Sequence, residues 1–194
     1  MASNKQIWVL TGGNGAGKST FYHTQLKPLG LPFINADSIA KELYPEAPES
    51  HSYDAAKIAA HMRVELLAKG ESFCFETVFS HPSKIDFVAQ AKANGYEVVL
   101  VFIHLDNLDL NLARIAQRVE EGGHAVPPEK VISRIPRTLE HIKSVIPLCD
   151  HVYVLDNQSY ENPFEKIATL SHSDLTLHCE EVPNWVKSLL ADYL

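Results

Sequence analysis

A chain of 194 residues with 45% apolar side chains can bury one good core and is short for two domains. Its formal net charge of −7 argues against a general nucleic-acid or membrane-surface binder, which needs a basic face. The lack of a leader-like or membrane-length apolar run, and three cysteines (Cys74, Cys149, Cys179) without C-x-x-C spacing, read as a cytoplasmic protein with free thiols.

The first strand falls at 7–10, an apolar Ile-Trp-Val-Leu run. It leads into Gly12, Gly13, Asn14, Gly15, Ala16, Gly17, Lys18, Ser19 and Thr20, which fit G-x-x-x-x-G-K-[ST] from Gly12 to Ser19. Strand, glycine-rich turn and helix start form the context in which this pattern holds phosphate. Glycines turn successive N–H groups inward, and the helix beginning near Ser19 adds its positive end. In such a loop Lys18 reaches the β- and γ-phosphates and the Ser19 hydroxyl ligates Mg²⁺. Binding of a nucleoside triphosphate is the expectation.

Further strand-length runs lie at 33–35, 73–76, 98–104 and 152–155. Helical patterns fill 19–26, 38–43, 54–69, 83–94 and 108–120, with Gly70 and Gly95 as caps. Pro136 must bend or divide a helix spanning 129–145. A hairpin (167–170 with 175–179) and a short helix at 184–190 close the chain. Strands alternating with helices predict an α/β fold of the P-loop NTPase type: a parallel five-stranded sheet flanked by helices, a helical lid and a C-terminal β-hairpin, in one domain over 1–194.

The lid is expected at about 114–140. Two glycines and two prolines in Glu121-Gly122-Gly123-His124-Ala125-Val126-Pro127-Pro128 suit a hinge, and Arg114, Arg118, Arg134 and Arg137 flank it. His124 lies in the hinge, where it can meet a phosphate. The other nine of the ten histidines show no ligand spacing with a third ligand nearby, so no protein-held zinc site is expected.

In an open parallel sheet, ligands sit beyond the carboxyl ends of the strands. Asp37 follows the second strand and is the choice for accepting a substrate hydroxyl proton, with Asn35 or Ser38 left to cap the helix. Glu76 and Thr77 end the third strand, where a carboxylate can hold the water shell of a metal or bind substrate hydroxyls, with Ser80 nearby. Asn157, in the polar stretch 156–159 after the fifth strand, is a candidate for the adenine.

The phosphate loop, Ile34-Asn35-Ala36-Asp37-Ser38-Ile39-Ala40, Phe75-Glu76-Thr77-Val78-Phe79-Ser80 and the lid stretches 118–127 and 133–140 together resemble the zeta-toxin family of P-loop kinases. They most resemble its branch of small stand-alone ATPases. The resemblance implies Mg·ATP-dependent phosphorylation of a hydroxyl, with UDP-N-acetylglucosamine as the founding acceptor. It places Lys18 and Ser19 in the phosphate loop, Asp37 as base, and Glu76 and Thr77 on the substrate side. Arg118 and Arg134 become lid arginines on the phosphates, with Arg137 a third. It also implies that any antitoxin partner is a separate protein. Two other readings stay open: a kinase acting on a nucleotide or nucleic-acid end, and a nucleotide-dependent regulatory ATPase with no small-molecule acceptor.

Overall fold

The computed structural model describes residues 5–123 and 125–194, so His124 lies outside the described residues. Five parallel strands form where the apolar runs lie: β1 (Gln6–Thr11), β2 (Phe33–Ile34), β3 (Phe73–Thr77), β4 (Glu97–His104) and β5 (His151–Asp156). Their order is β2-β3-β1-β4-β5, so β1 is central, with Ile7 opposite Phe73 on one side and Val98 on the other.

The sheet has seven strands where five are expected. The hairpin β6 (Glu165–Ser171) and β7 (Asp174–Leu177) adds to it antiparallel, with Val152 opposite Leu170. The physical reason is the edge of β5. A free β5 would present unpaired N–H and C=O groups, and β6 pairs them while burying Ile167, Ala168 and Leu170.

Alternation along β4 shows how the helices are placed. Val98, Leu100 and Phe102 enter the larger core, together with Ala59 and Leu67 of α3 (Ser52–Lys69) and Phe87 of α4 (Ser83–Ala93). Ile142 of α6 (Pro128–Val145) and Trp185 of α7 (Asn184–Leu189) complete that layer. Val101 and Ile103 point to the opposite face, which Leu26 and the partly buried Phe21, Tyr22 and Phe164 cover. The helix after the phosphate loop is α-helical for α1 (Lys18–Phe21) alone and continues as a π-helical stretch, Tyr22–Leu26. There Tyr22 stacks on Phe33 with ring centroids 3.5 Å apart.

Pro136 does not divide its helix. α6 runs unbroken for 18 residues. Pro136 and Ile132 both lie on the exposed side of the helix, away from the core, where a missing backbone donor costs least. All three cysteines are free, and burial pushes the Cys74 thiol up to about 12. Among the described residues no helix is long and apolar enough to cross a membrane.

Candidate functional site

The carboxyl ends of the parallel strands meet at the phosphate loop, which joins β1 to α1. The loop is fitted to its surroundings at the level of single atoms. Gly17 has φ 94°, and a Cβ there would lie 2.5 Å from Nδ2 of Asn157, so only glycine fits without displacement. Asn157 donates from that nitrogen to the Ala16 carbonyl (2.9 Å) and accepts the Phe164 amide on Oδ1 (3.2 Å). Asn157 therefore sits beneath the loop as a buried brace, with both ends of its amide used within the fold.

Lys18 is buried at the centre of the site. Its Nζ donates to the Gly13 carbonyl at 3.0 Å and lies 3.8 Å from Oε1 of Glu76. Burial lowers the Lys18 pKa below the ordinary lysine value; the Glu76 and Asp37 carboxylates pull it back up, and Arg118 and Arg134 push it down. Two carboxylates and two arginines from four separate segments thus act on one ammonium.

Glu76 links several of these groups. Besides Lys18, its Oε2 accepts Asn35 Nδ2 at 2.8 Å and Ser19 Oγ at 3.3 Å. Asn35 also caps α2 (Ala36–Leu43), accepting the Ser38 amide at 3.0 Å, so Asn35 rather than Ser38 takes the capping task. Asp37 then stands in the first helical turn, exposed, with no hydrogen-bond partner among the described residues. Carboxylate and hydroxyl oxygens are the hard donors that suit Mg²⁺, and Ser19 beside Glu76 fits an ion held jointly with substrate phosphates.

The predicted arginines separate. Arg134 of α6 donates to Asn14 Oδ1 of the phosphate loop at 3.2 Å. Arg118 lies in the last turn of α5 (Leu108–Glu120), close under Gly123: a Cβ on that glycine would fall 2.5 Å from Arg118 Cγ. Arg114 instead stacks over the Tyr160 ring, 5.2 Å from its centroid. Arg137 is exposed and turns back to the Ser133 carbonyl at 2.9 Å, so the structure does not bring it to the loop. Thr77 Oγ1 accepts the Phe79 amide at 3.1 Å and so shapes the segment after β3, where Phe79 holds φ 63°. α6 grips that segment through Thr138 Oγ1 to the Val78 carbonyl (2.9 Å) and His141 Nδ1 to the Phe79 carbonyl (3.0 Å).

Beside Asp37 opens a cleft of about 350 Å³, walled by α2, the segment 46–52 and the Gly122-Gly123 turn. Glu49 ties two of these walls together by accepting the Ala125 amide at 2.9 Å across 76 residues of chain. Local sequence carries no signal for that contact. Asn35 as a partner of Glu76 is equally hidden, although its capping role is readable from residue type.

A protein-family profile described as "AAA domain" matches residues 7–142, and the chain belongs to that family. A protein of Haemophilus influenzae described only as uncharacterized is 31% identical over 134 residues, which is 66% of this chain and 95% of that one. A dephospho-CoA kinase of Pasteurella multocida is 28% identical over 156 residues, covering 74% of this chain and 72% of the relative. Among solved structures, the AvrRxo1-ORF1:-ORF2 complex with ATP superposes with a TM-score of 0.71 at 18% identity over 91% of this chain. This chain covers 61% of that one, about three fifths of its length. The PezAT toxin–antitoxin system of Streptococcus pneumoniae gives 0.63 at 18% identity, covering 100% of this chain and 85% of that one. These likenesses are in the fold, which is that of P-loop kinases.

Proposed function

We propose that this AAA-domain chain is an ATP-dependent phosphotransferase acting on a hydroxyl of a small molecule. The convergence of Asp37, Glu76, Arg118 and Arg134 on the buried Lys18 carries the reading. Phosphoryl transfer needs positive charge around the γ-phosphate, an oriented nucleophile and a base for its proton. In this proposal Lys18, Arg118 and Arg134 spread the developing charge and Asp37 takes the proton. Ser19, with Glu76 beside it, would hold Mg²⁺, which would supply charge neutralisation on the transferred phosphate. Asn157 supports the phosphate loop and Thr77 the acceptor side, while Arg137, bonded back to its own helix, has no part in the transfer. The chain acts as one domain, in which the stretch of about 114–140 is a lid that excludes water as it closes.

The relative described as a dephospho-CoA kinase supports a hydroxyl acceptor. The resemblance to zeta toxins puts forward UDP-N-acetylglucosamine as the first nucleotide sugar to test. It also puts forward a separate antitoxin, for which the test is growth arrest on expression that disappears in Lys18→Ala and Asp37→Asn.

Incubation with Mg·ATP and a panel of hydroxyl compounds should give an acceptor heavier by one phosphoryl group. Asp37→Asn should cut that rate by about 10²- to 10⁴-fold while ATP still binds. Wild-type transfer by Asp37→Asn would exclude Asp37 as the base.

A further inference from the structure

Arg63 of α3 is a buried cation that the fold leaves without an anion. It is 6% exposed, and its guanidinium carbon lies 5.0 Å from the centroid of the Phe75 ring and 5.3 Å from that of Phe87. Its Nε is buried with nothing to donate to, and Arg63 makes no hydrogen bond or ion pair among the described residues. Burial alone acts on its pKa, which falls to about 10, so no carboxylate offsets the charge. The ring contacts return only part of what a guanidinium loses on leaving water.

A second cation stands beside it. Lys84, half-buried in the first turn of α4, has its pKa lowered by burial and then by the charge of Arg63. Among the described residues its Nζ donates only to Ser83 Oγ, at 3.4 Å, and that hydroxyl meets His81 Nδ1 at 2.9 Å. Glu65 and Asp86, the acids nearest to the pair in sequence, are exposed, and Glu65 pairs with His61 at 3.2 Å. α3 leads down to the amino end of β3, and α4 starts from the segment after its carboxyl end. Helical side chains slant toward the N-terminus of their helix, so both cations lean toward the carboxyl end of the sheet, where the phosphate loop lies.

We propose that Arg63 and Lys84 form an anion site between α3 and α4 that holds a phosphate group. The planar guanidinium fork matches a pair of phosphate oxygens, the ammonium takes a third, and the paired positive charges balance a dianion. The group has two sources: free phosphate, or a phosphate carried by the acceptor. The second rests on the phosphotransferase reading and the first does not.

The full chain is saturated with a non-hydrolysable Mg·ATP analogue, so that the phosphate loop is occupied, and inorganic phosphate is titrated while the melting temperature is followed. The parent should show a saturable rise of about 5 °C or more at about 100 times the Kd. Arg63→Met should abolish that rise and, without phosphate, melt no lower than the parent, because an apolar chain replaces an uncompensated buried charge. Lys84→Gln should melt with the parent and bind phosphate about tenfold or more weakly. No rise in the parent, or equal rises in all three proteins, overturns the site. If Arg63→Met does not fold, an unchanged phosphate affinity in Lys84→Gln overturns it alone. The same titration with UDP-N-acetylglucosamine and glucose 6-phosphate, against N-acetylglucosamine and glucose, separates the sources. A rise confined to a phosphorylated probe and lost in Arg63→Met, with its KM for transfer raised about tenfold by Lys84→Gln, assigns the site to the acceptor. A response to inorganic phosphate alone assigns it to the free ion. Phosphate binding with no transfer to any probe removes the phosphotransferase reading and leaves the anion site standing.

Discussion

Asn35 joins the fold to the site through the two ends of one amide. Its Oδ1 caps α2 on the Ser38 amide at 3.0 Å, and its Nδ2 donates to Glu76 Oε2 at 2.8 Å. Asn35 is 8% exposed and the Glu76 side chain 11%, so both bonds are sheltered from solvent screening. Asn35→Ala removes both. Loss of the cap costs about 1 kcal/mol. Loss of a hydrogen bond to a charged, buried carboxylate costs about 1.5–3 kcal/mol. The sum for Asn35→Ala is about 2.5–4 kcal/mol, read as a fall in the urea midpoint at constant slope. Asn35→Ser keeps a cap acceptor and loses the donor to Glu76, so it should fall between parent and alanine variant, about 1 kcal/mol above the latter. Asn35→Asp keeps the cap but sets a second carboxylate against Glu76. It should be destabilised at pH 7 and recover part of the loss as the pH falls and one of the pair is protonated. Equal losses in Asn35→Ala and Asn35→Ser would show that the cap contributes nothing. An Asn35→Ala variant within about 0.5 kcal/mol of the parent would refute the account of Asn35 altogether.

Gly17→Ala places a methyl group against Asn157 at φ 94°, so it should lower stability by about 1–3 kcal/mol and weaken binding of a fluorescent ATP analogue about tenfold or more. Asn157→Ala leaves the Ala16 carbonyl unsatisfied in a buried position, and a loss of about 1–3 kcal/mol in urea unfolding is expected. Acid stability should depend on Glu97, whose carboxyl is held below its ordinary 4.5 first by the hydrogen bond from Gln6 and then by His151, against burial. The folded state then binds this proton less readily than the unfolded one. That contribution is complete above about pH 4.5 and is lost as the pH falls through the lower folded value, so Glu97→Gln should flatten the acid limb of stability against pH.

Local patterns made much of the site legible. The Gly12–Ser19 spacing follows an apolar strand and leaves few other backbone paths, and Asp37 two residues past Asn35 reads as a helix start at a strand end. Gly70 closes α3 in the left-handed conformation that residue type predicts. Each of these depends on neighbours within a turn or two of chain, where φ/ψ preference and hydrophobic period decide.

The arginines were legible only as a group. Arg114 and Arg118 share a helix face by spacing, yet one stacks on Tyr160 and the other lies under Gly123. Arg134 reaches Asn14 across 120 residues, while Arg137, one turn on, bonds its own helix. Which arginine meets the loop depends on how α5 and α6 are rotated against the sheet, and that rotation is set by packing of the whole core.

By itself, then, the sequence determined the phosphate loop, the α/β alternation and the acid at the end of the second strand, because short-range backbone preference encodes them. Tertiary structure alone decided that Glu76 meets Ser19 from 57 residues away and Asn35 from 41, since the order β2-β3-β1 sets those strand ends side by side. It also decided that the hairpin closes the β5 edge, because an unpaired row of backbone groups finds its partner in space and not along the chain.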